Sequence, residues 1–162
     1  MERGHEVGRV KLSWQVIRLC WVADAFFAQV CYRAKARLQR FRIPILPTIL
    51  HRVAMMHSQV CIGNPVVIGP GLYLPHGQVV IDGITTLGGG VVVFPWVTIG
   101  LKAGNIQGPT VADNVNIGTG AKVLGAISLG QGCMVGANAV VVDDIPAGCT
   151  AVGVPARILD KR

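Results

Sequence analysis

The sequence predicts a mainly β fold, a parallel solenoid of short strands preceded by helices, on three observations. First, an aliphatic residue recurs every six positions: Ile62, Ile68, Leu74, then Ile81 after one extra residue, Leu87, Val93 and Ile99. The series resumes in step at Val111, Ile117, Val123, Leu129, Val135 and Val141. A period of six fits neither an α-helix nor plain strand alternation, so the repeating unit is a short strand plus a turn. Second, glycine follows many of these aliphatics, as in Ile62-Gly63, Ile99-Gly100, Ile117-Gly118 and Val135-Gly136. Glycine tolerates corner angles that a β-carbon penalises. Three units then make one triangular coil, and stacked coils bury the aliphatics as a continuous ladder. Third, Lys11 to Phe41 contains neither proline nor glycine, as a helical leader requires.

That leader is expected to be one helix over residues 13–40, with Ser13 as its cap. Its first half is apolar, from Trp14 to Val30, and its end is basic, with Arg33, Lys35, Arg37, Arg40 and Arg42. Pro44 and Pro47 break it, and Thr48 to Met56 can form a second short helix. Residues 1–57 thus form a helical cap, residues 58–152 the solenoid of about five coils, and residues 153–162 an extended exit tail. The register lapses between Ile99 and Val111, so Leu101 to Pro109 should leave the coil as a loop, where function often resides.

The chain has 162 residues, 51% apolar and 14% charged, with 21 glycines, enough for one domain-sized core. Its net charge of +7 belongs to the leader. Residues 1–52 carry ten Lys/Arg and three acids, 10 − 3 = +7, whereas residues 53–162 carry five of each. A local excess beside apolar residues does not describe a nucleic-acid-binding module. Two readings of the leader stand together: it covers the exposed edge of the first coil, and residues 13–42 contact an anionic bilayer peripherally. Arg18 and Asp24 argue against a membrane span, and no cleavable leader is expected. The five cysteines, odd in number and without close pairs, read as reduced and mostly buried, as in a cytoplasmic protein. Contact with the inner face of the membrane is compatible with that location.

Four stretches carry a family resemblance: Ile68-Gly-Pro-Gly-Leu-Tyr-Leu-Pro-His76, Val97-Thr-Ile-Gly100, Ile117-Gly-Thr-Gly-Ala-Lys-Val-Leu-Gly125 and Gly153-Val-Pro-Ala-Arg-Ile158. From Val60 to Leu159 the chain resembles the hexapeptide-repeat acyltransferases, in particular their serine acetyltransferase-like branch. The leader looks like that of polysaccharide O-acetyltransferases. The resemblance implies a left-handed parallel β-helix, acetyl-CoA as acetyl donor, and a homotrimer with active sites between subunits.

It also implies that His76 is the catalytic base. Acetyl transfer removes a hydroxyl proton as the oxygen attacks a thioester, and a neutral imidazole, of ordinary pKa about 6.5, accepts it. Gly100, Thr119 and Ala137 match small corner positions along the pantetheine arm, and Arg157 and Lys161 match phosphate-binding positions. His5, His51 and His57 lie outside the coil, as surface or cap residues. With one coil histidine, a zinc hydratase lacks the three ligands it needs, so no metal is expected.

The chain departs from the serine enzymes twice. Their orienting aspartate, fifteen residues before the histidine, is here Cys61, and a second histidine before the re-entry proline is here Gly108. Asp82 is available to orient His76 but cannot be placed from sequence. These losses favour a different hydroxyl-bearing acceptor, a saccharide in surface-polysaccharide assembly, over serine. Serine O-acetylation and a non-catalytic scaffold remain the alternatives.

Overall fold

Residues 9–23 and 25–159 are described by the computed structural model. Three helices lead into a triangular β-solenoid. Its first sheet stacks β1 (Val60–Ile62), β3 (Val79–Ile81), β6 (Thr98–Gly100), β9 (Lys122–Leu124) and β12 (Val140–Val141). The second stacks β2 (Val67–Ile68), β4 (Ile84–Leu87), β7 (Gln107–Val111) and β10 (Ser128–Leu129). The third holds β5 (Val92–Val93), β8 (Asn116–Ile117), β11 (Met134–Val135), β13 (Thr150–Val152) and β14 (Arg157–Leu159). All pairings are parallel except β13 with β14. The winding is left-handed, as in the solved structures that share this fold.

The register explains the period. Val111 pairs with Leu129 and Ile117 with Val135, so a regular coil is three units of the repeat. Ile68 pairs with Leu87, one position past that regular spacing, and Leu87 pairs with Val111, six positions past it. The first coil thus holds one extra residue and the second holds six. Inside, Ile81, Leu87, Val93, Ile99, Val111, Ile117, Val123 and Leu129 are all fully buried. Each such side chain contributes roughly 1.5–3 kcal/mol through burial.

Several expectations are corrected here. The leader is two helices, α1 (Arg9–Val22) and α2 (Phe26–Arg40), and Ser13 lies inside α1 and does not begin it. No proline or glycine marks the break. Ala25 is fully buried at the junction, and Ala28, Cys31, Tyr32 and Lys35 turn one face of α2 onto the first coil. The next helix, α3 (Leu46–Ser58), is longer than expected and has Pro47 in its first turn, where a missing N–H costs nothing. The loop is shorter than expected: it spans 101–106, and Gln107 to Pro109 already belong to β7. The Ile84 N–H donates to the Ile106 carbonyl (3.0 Å), drawing the chain back early. The tail does not simply exit, since β14 folds back antiparallel on β13 and closes the end of the third sheet. Of the cysteines, only Cys31 and Cys133 are buried; Cys20, Cys61 and Cys149 are half-buried.

The edge-covering role of α2 is visible atom by atom. Tyr32 Oη donates to the Val66 carbonyl (2.8 Å), Lys35 Nζ to Ile62 (2.7 Å), and Arg33 to Ile68 (2.6 Å) and Gly69. These are carbonyls of the first coil, where no preceding coil is available to pair with them. Left without donors, buried carbonyls there would cost about 1–3 kcal/mol each. Lys35 is only 3% exposed, and burial pulls its pKa below the ordinary 10.5, partly opposed by the neighbouring Cys61.

Candidate active site

The extra residue of the first coil lies at the corner between the third and first sheets. Four coils turn this corner with a positive-φ residue: Gln78 (57°), Trp96 (66°), Gly120 (75°) and Asn138 (57°). In three of them the step from the last inward aliphatic is three residues: 96 − 93, 120 − 117 and 138 − 135. In the first coil it is 78 − 74 = 4. The additional residue falls in Pro75-His76-Gly77, and His76 stands exposed on it. What the linear pattern registers as a one-residue slip is the device that lifts an imidazole off the packed wall.

The helices hold this widened corner. Gly77 is buried, and a β-carbon there would collide with the Ser58 carbonyl at the end of α3. The Gln78 N–H donates to that same carbonyl (3.3 Å). Around it runs a groove of about 680 Å³. His76, Gly77, Gln78, Pro95 and Trp96 form its solenoid wall; His57, Ser58 and Gln59 come from the end of α3, and Cys20, Trp21 and Ala23 from the end of α1. Trp96 is 60% exposed there, in a left-handed backbone conformation that is rare for a bulky residue. Sequence reading missed both Trp21 and Trp96, because nothing in the repeat marks which corners face the helices.

Below His76 the same corner continues through Pro95, Thr119 and Ala137 to Gly153, whose carbonyl accepts from the Val140 N–H (3.0 Å). Coils stack about 4.8 Å apart, so His76 and Ala137, three coils apart, are separated by roughly 14 Å along the axis. Thr119 and Ala137 are exposed. Among the described residues, neither backbone N–H donates to a neighbouring carbonyl. Gly100 does not join this column; it ends β6, at the next corner, where the 101–106 loop departs. Arg157 is exposed on β14, beside the loop that crosses the end of the column. Lys161 and His5 lie outside the described residues.

The acceptor side is built differently. Cys61 is half-buried on β1, and burial followed by the Asp82 carboxylate raises its pKa, with Lys35 opposing. Asp82 follows β3 at the end away from His76, packed against Gly63, and is not among the groove residues. Gly108 is buried in β7, where a β-carbon would collide with Thr85 Oγ1. That hydroxyl is itself committed to the Asp82 carbonyl (2.7 Å). A histidine at 108 therefore has no room. His51 is half-buried on α3, its pKa lowered by burial and then by Lys35 and Arg52, and His57 meets the Phe27 ring edge-on (5.0 Å). Among the described residues no three His, Cys, Asp or Glu side chains are grouped to hold a metal ion.

A left-handed solenoid of stacked parallel coils behind an N-terminal helical segment is the fold of the hexapeptide-repeat acyltransferase class. No family model matches the chain. The serine acetyltransferase of Helicobacter pylori strain J99 is 38% identical over 153 residues, 92% of this chain and 87% of that protein. That of Synechococcus elongatus is 36% identical over 146 residues, 88% of this chain but only 59% of that one. The Brucella abortus serine acetyltransferase, solved in complex with coenzyme A, superposes with a TM-score of 0.81 at 28% identity, covering 85% of this chain and 56% of its own. The chain belongs to the serine acetyltransferase family, and it spans little more than half the length of the Synechococcus and Brucella members.

Proposed function

We propose that this protein transfers acetyl from acetyl-CoA to a hydroxyl group with His76 as general base, and that serine is the acceptor its family best supports. The observation that carries the reading is the one-residue extension that stands His76 in an open groove at the head of the Thr119–Ala137 column. In the reaction the imidazole takes the hydroxyl proton as the oxygen attacks the thioester carbonyl. The tetrahedral intermediate then collapses, the C–S bond breaks, and the imidazolium returns the proton to the departing thiolate. A positioned base of this kind typically contributes about 10²–10⁴-fold. The pantetheine amides would meet the Thr119 and Ala137 N–H groups, and the phosphates the cations of Arg157 and Lys161. Gly100, on the neighbouring corner, would line the arm from a second side. The working unit is a homotrimer, a reading supported by apolar side chains left exposed on the solenoid faces, among them Val67, Tyr73, Ile84 and Met134.

A second reading, with a sugar hydroxyl as acceptor, rests on the groove itself. Cys61 and a packed Gly108 stand where the resemblance expects acceptor-side groups, and Trp21 and Trp96 supply flat aromatic faces suited to a ring. The comparisons favour serine over this preference. Incubation with acetyl-CoA and serine, or with free, nucleotide-linked and lipid-linked sugars, followed by mass spectrometry, decides. O-acetylserine formation supports the family reading, and an acetylated sugar without it supports the second. Absence of acetyl-CoA binding by calorimetry would leave only a scaffold.

A further inference from the structure

The helices α1 and α3 carry more apolar surface than the solenoid uses. On α1, Trp14 is 68% and Trp21 is 87% exposed, and Ile17, Leu19 and Val22 are exposed with them. On α3 and its approach, Ile45, Ile49, Val53 and Met56 recur at helical spacing and are all exposed. Soluble surfaces rarely leave so many large apolar side chains bare. The ends of the two helices come together, since both line the groove that holds His76.

The charges identify the occupant. Exposed Arg18, Arg42 and Arg52 stand on or beside these two helices, and the sequence contains no Asp or Glu between Ala25 and Ile81. Two copies meeting through such faces would bring like charges together across the contact, at a cost. A lipid surface with anionic headgroups satisfies both features: it neutralises the guanidinium groups and takes the tryptophans and aliphatics at its boundary. No described helix is long and apolar enough to cross a membrane, so the contact lies along the surface. We infer that the exposed apolar sides of α1 and α3, with Arg18, Arg42 and Arg52, form a docking face for an anionic bilayer, which sets the His76 groove at the membrane boundary. The inference does not rest on the identity of the acceptor.

Flotation of the full chain with vesicles tests it. The protein should float with phosphatidylcholine–phosphatidylserine vesicles and only weakly with phosphatidylcholine alone, the difference fading at high salt. Arg18→Gln/Arg42→Gln/Arg52→Gln should lose about tenfold or more of the binding to anionic vesicles. Trp14→Ser/Ile17→Ser should lose a similar factor on either vesicle, and its unchanged circular dichroism would show an intact fold. Brominated lipid should quench the wild-type tryptophan fluorescence. Wild-type protein that stays with neither vesicle overturns the inference, as does equal flotation of all variants. A larger assembly in solution that Trp14→Ser/Ile17→Ser dissolves, without any flotation, would assign the face to a second copy instead.

Discussion

The first coil and the third differ in every respect that matters for chemistry. The third keeps the regular three-unit length, turns its corner in three steps, and pairs with the coils on either side of it. The first runs one position longer, turns the same corner in four, and takes hydrogen bonds from Tyr32, Arg33 and Lys35 of α2 to satisfy its outer carbonyls. Regularity makes a stable wall with nothing projecting from it. The irregular coil needs help from the helices, and in return it exposes a histidine beside a groove they help to wall. Loops and departures on rigid scaffolds are where reactive groups can reach the surface.

The comparison breaks most visibly at His76. His76→Ala should lower acetyl transfer by about 10²–10⁴-fold, measured as release of free coenzyme A thiol, while the thermal midpoint stays unchanged. Activity within tenfold of wild type would remove the widened corner from catalysis.

Two glycines sharpen the contrast in stability. Gly77→Ala sets a β-carbon against the Ser58 carbonyl and should cost about 1–3 kcal/mol and also activity, because the corner must shift. Gly132→Ala, on a downstream corner at φ +65° with nothing within 4 Å, should cost about 1–2 kcal/mol and leave activity alone. Urea denaturation of both variants, with turnover at saturating substrate, separates backbone strain from displacement of His76.

The smallest effect concerns Lys35, whose lowered pKa makes the cap pH-sensitive. Below the depressed value both folded and unfolded chains carry the charge, and the folded chain bears the full cost of burying it. As pH rises toward the ordinary 10.5, the folded state releases the proton first, the unfolded state holds more protons, and stability rises relative to a chain lacking the group. The wild-type minus Lys35→Met difference in urea midpoint should therefore grow on the alkaline side and stay flat at lower pH. A difference that shrinks with rising pH would contradict the buried-cation account.

Much of the wall was legible because Ile62, Ile68, Leu74 and their successors face one interior and must be apolar wherever the coil places them. Even the slip between Leu74 and Ile81 was visible in the linear pattern, although its meaning was not. The break between α1 and α2 was hidden, since Ala23-Asp24-Ala25 contains no proline or glycine, and the burial of Ala25 where α2 begins is seen only in the fold. The early return at Gln107 was hidden too, because Gly108 and Pro109 read as loop residues until Thr85 is seen pressed against them. Trp21 and Trp96 lie far apart in the chain and share a groove only once the helices fold over the corner.

The amino-acid order alone determined the six-residue period, the triangular stack and the single histidine beside a turn of its first coil, because side-chain burial repeats with the backbone and is written locally. Tertiary structure decided which corner opens, what walls it and which carbonyls the leader covers. Those depend on residues far apart in the chain meeting in space, and no local pattern encodes such a meeting.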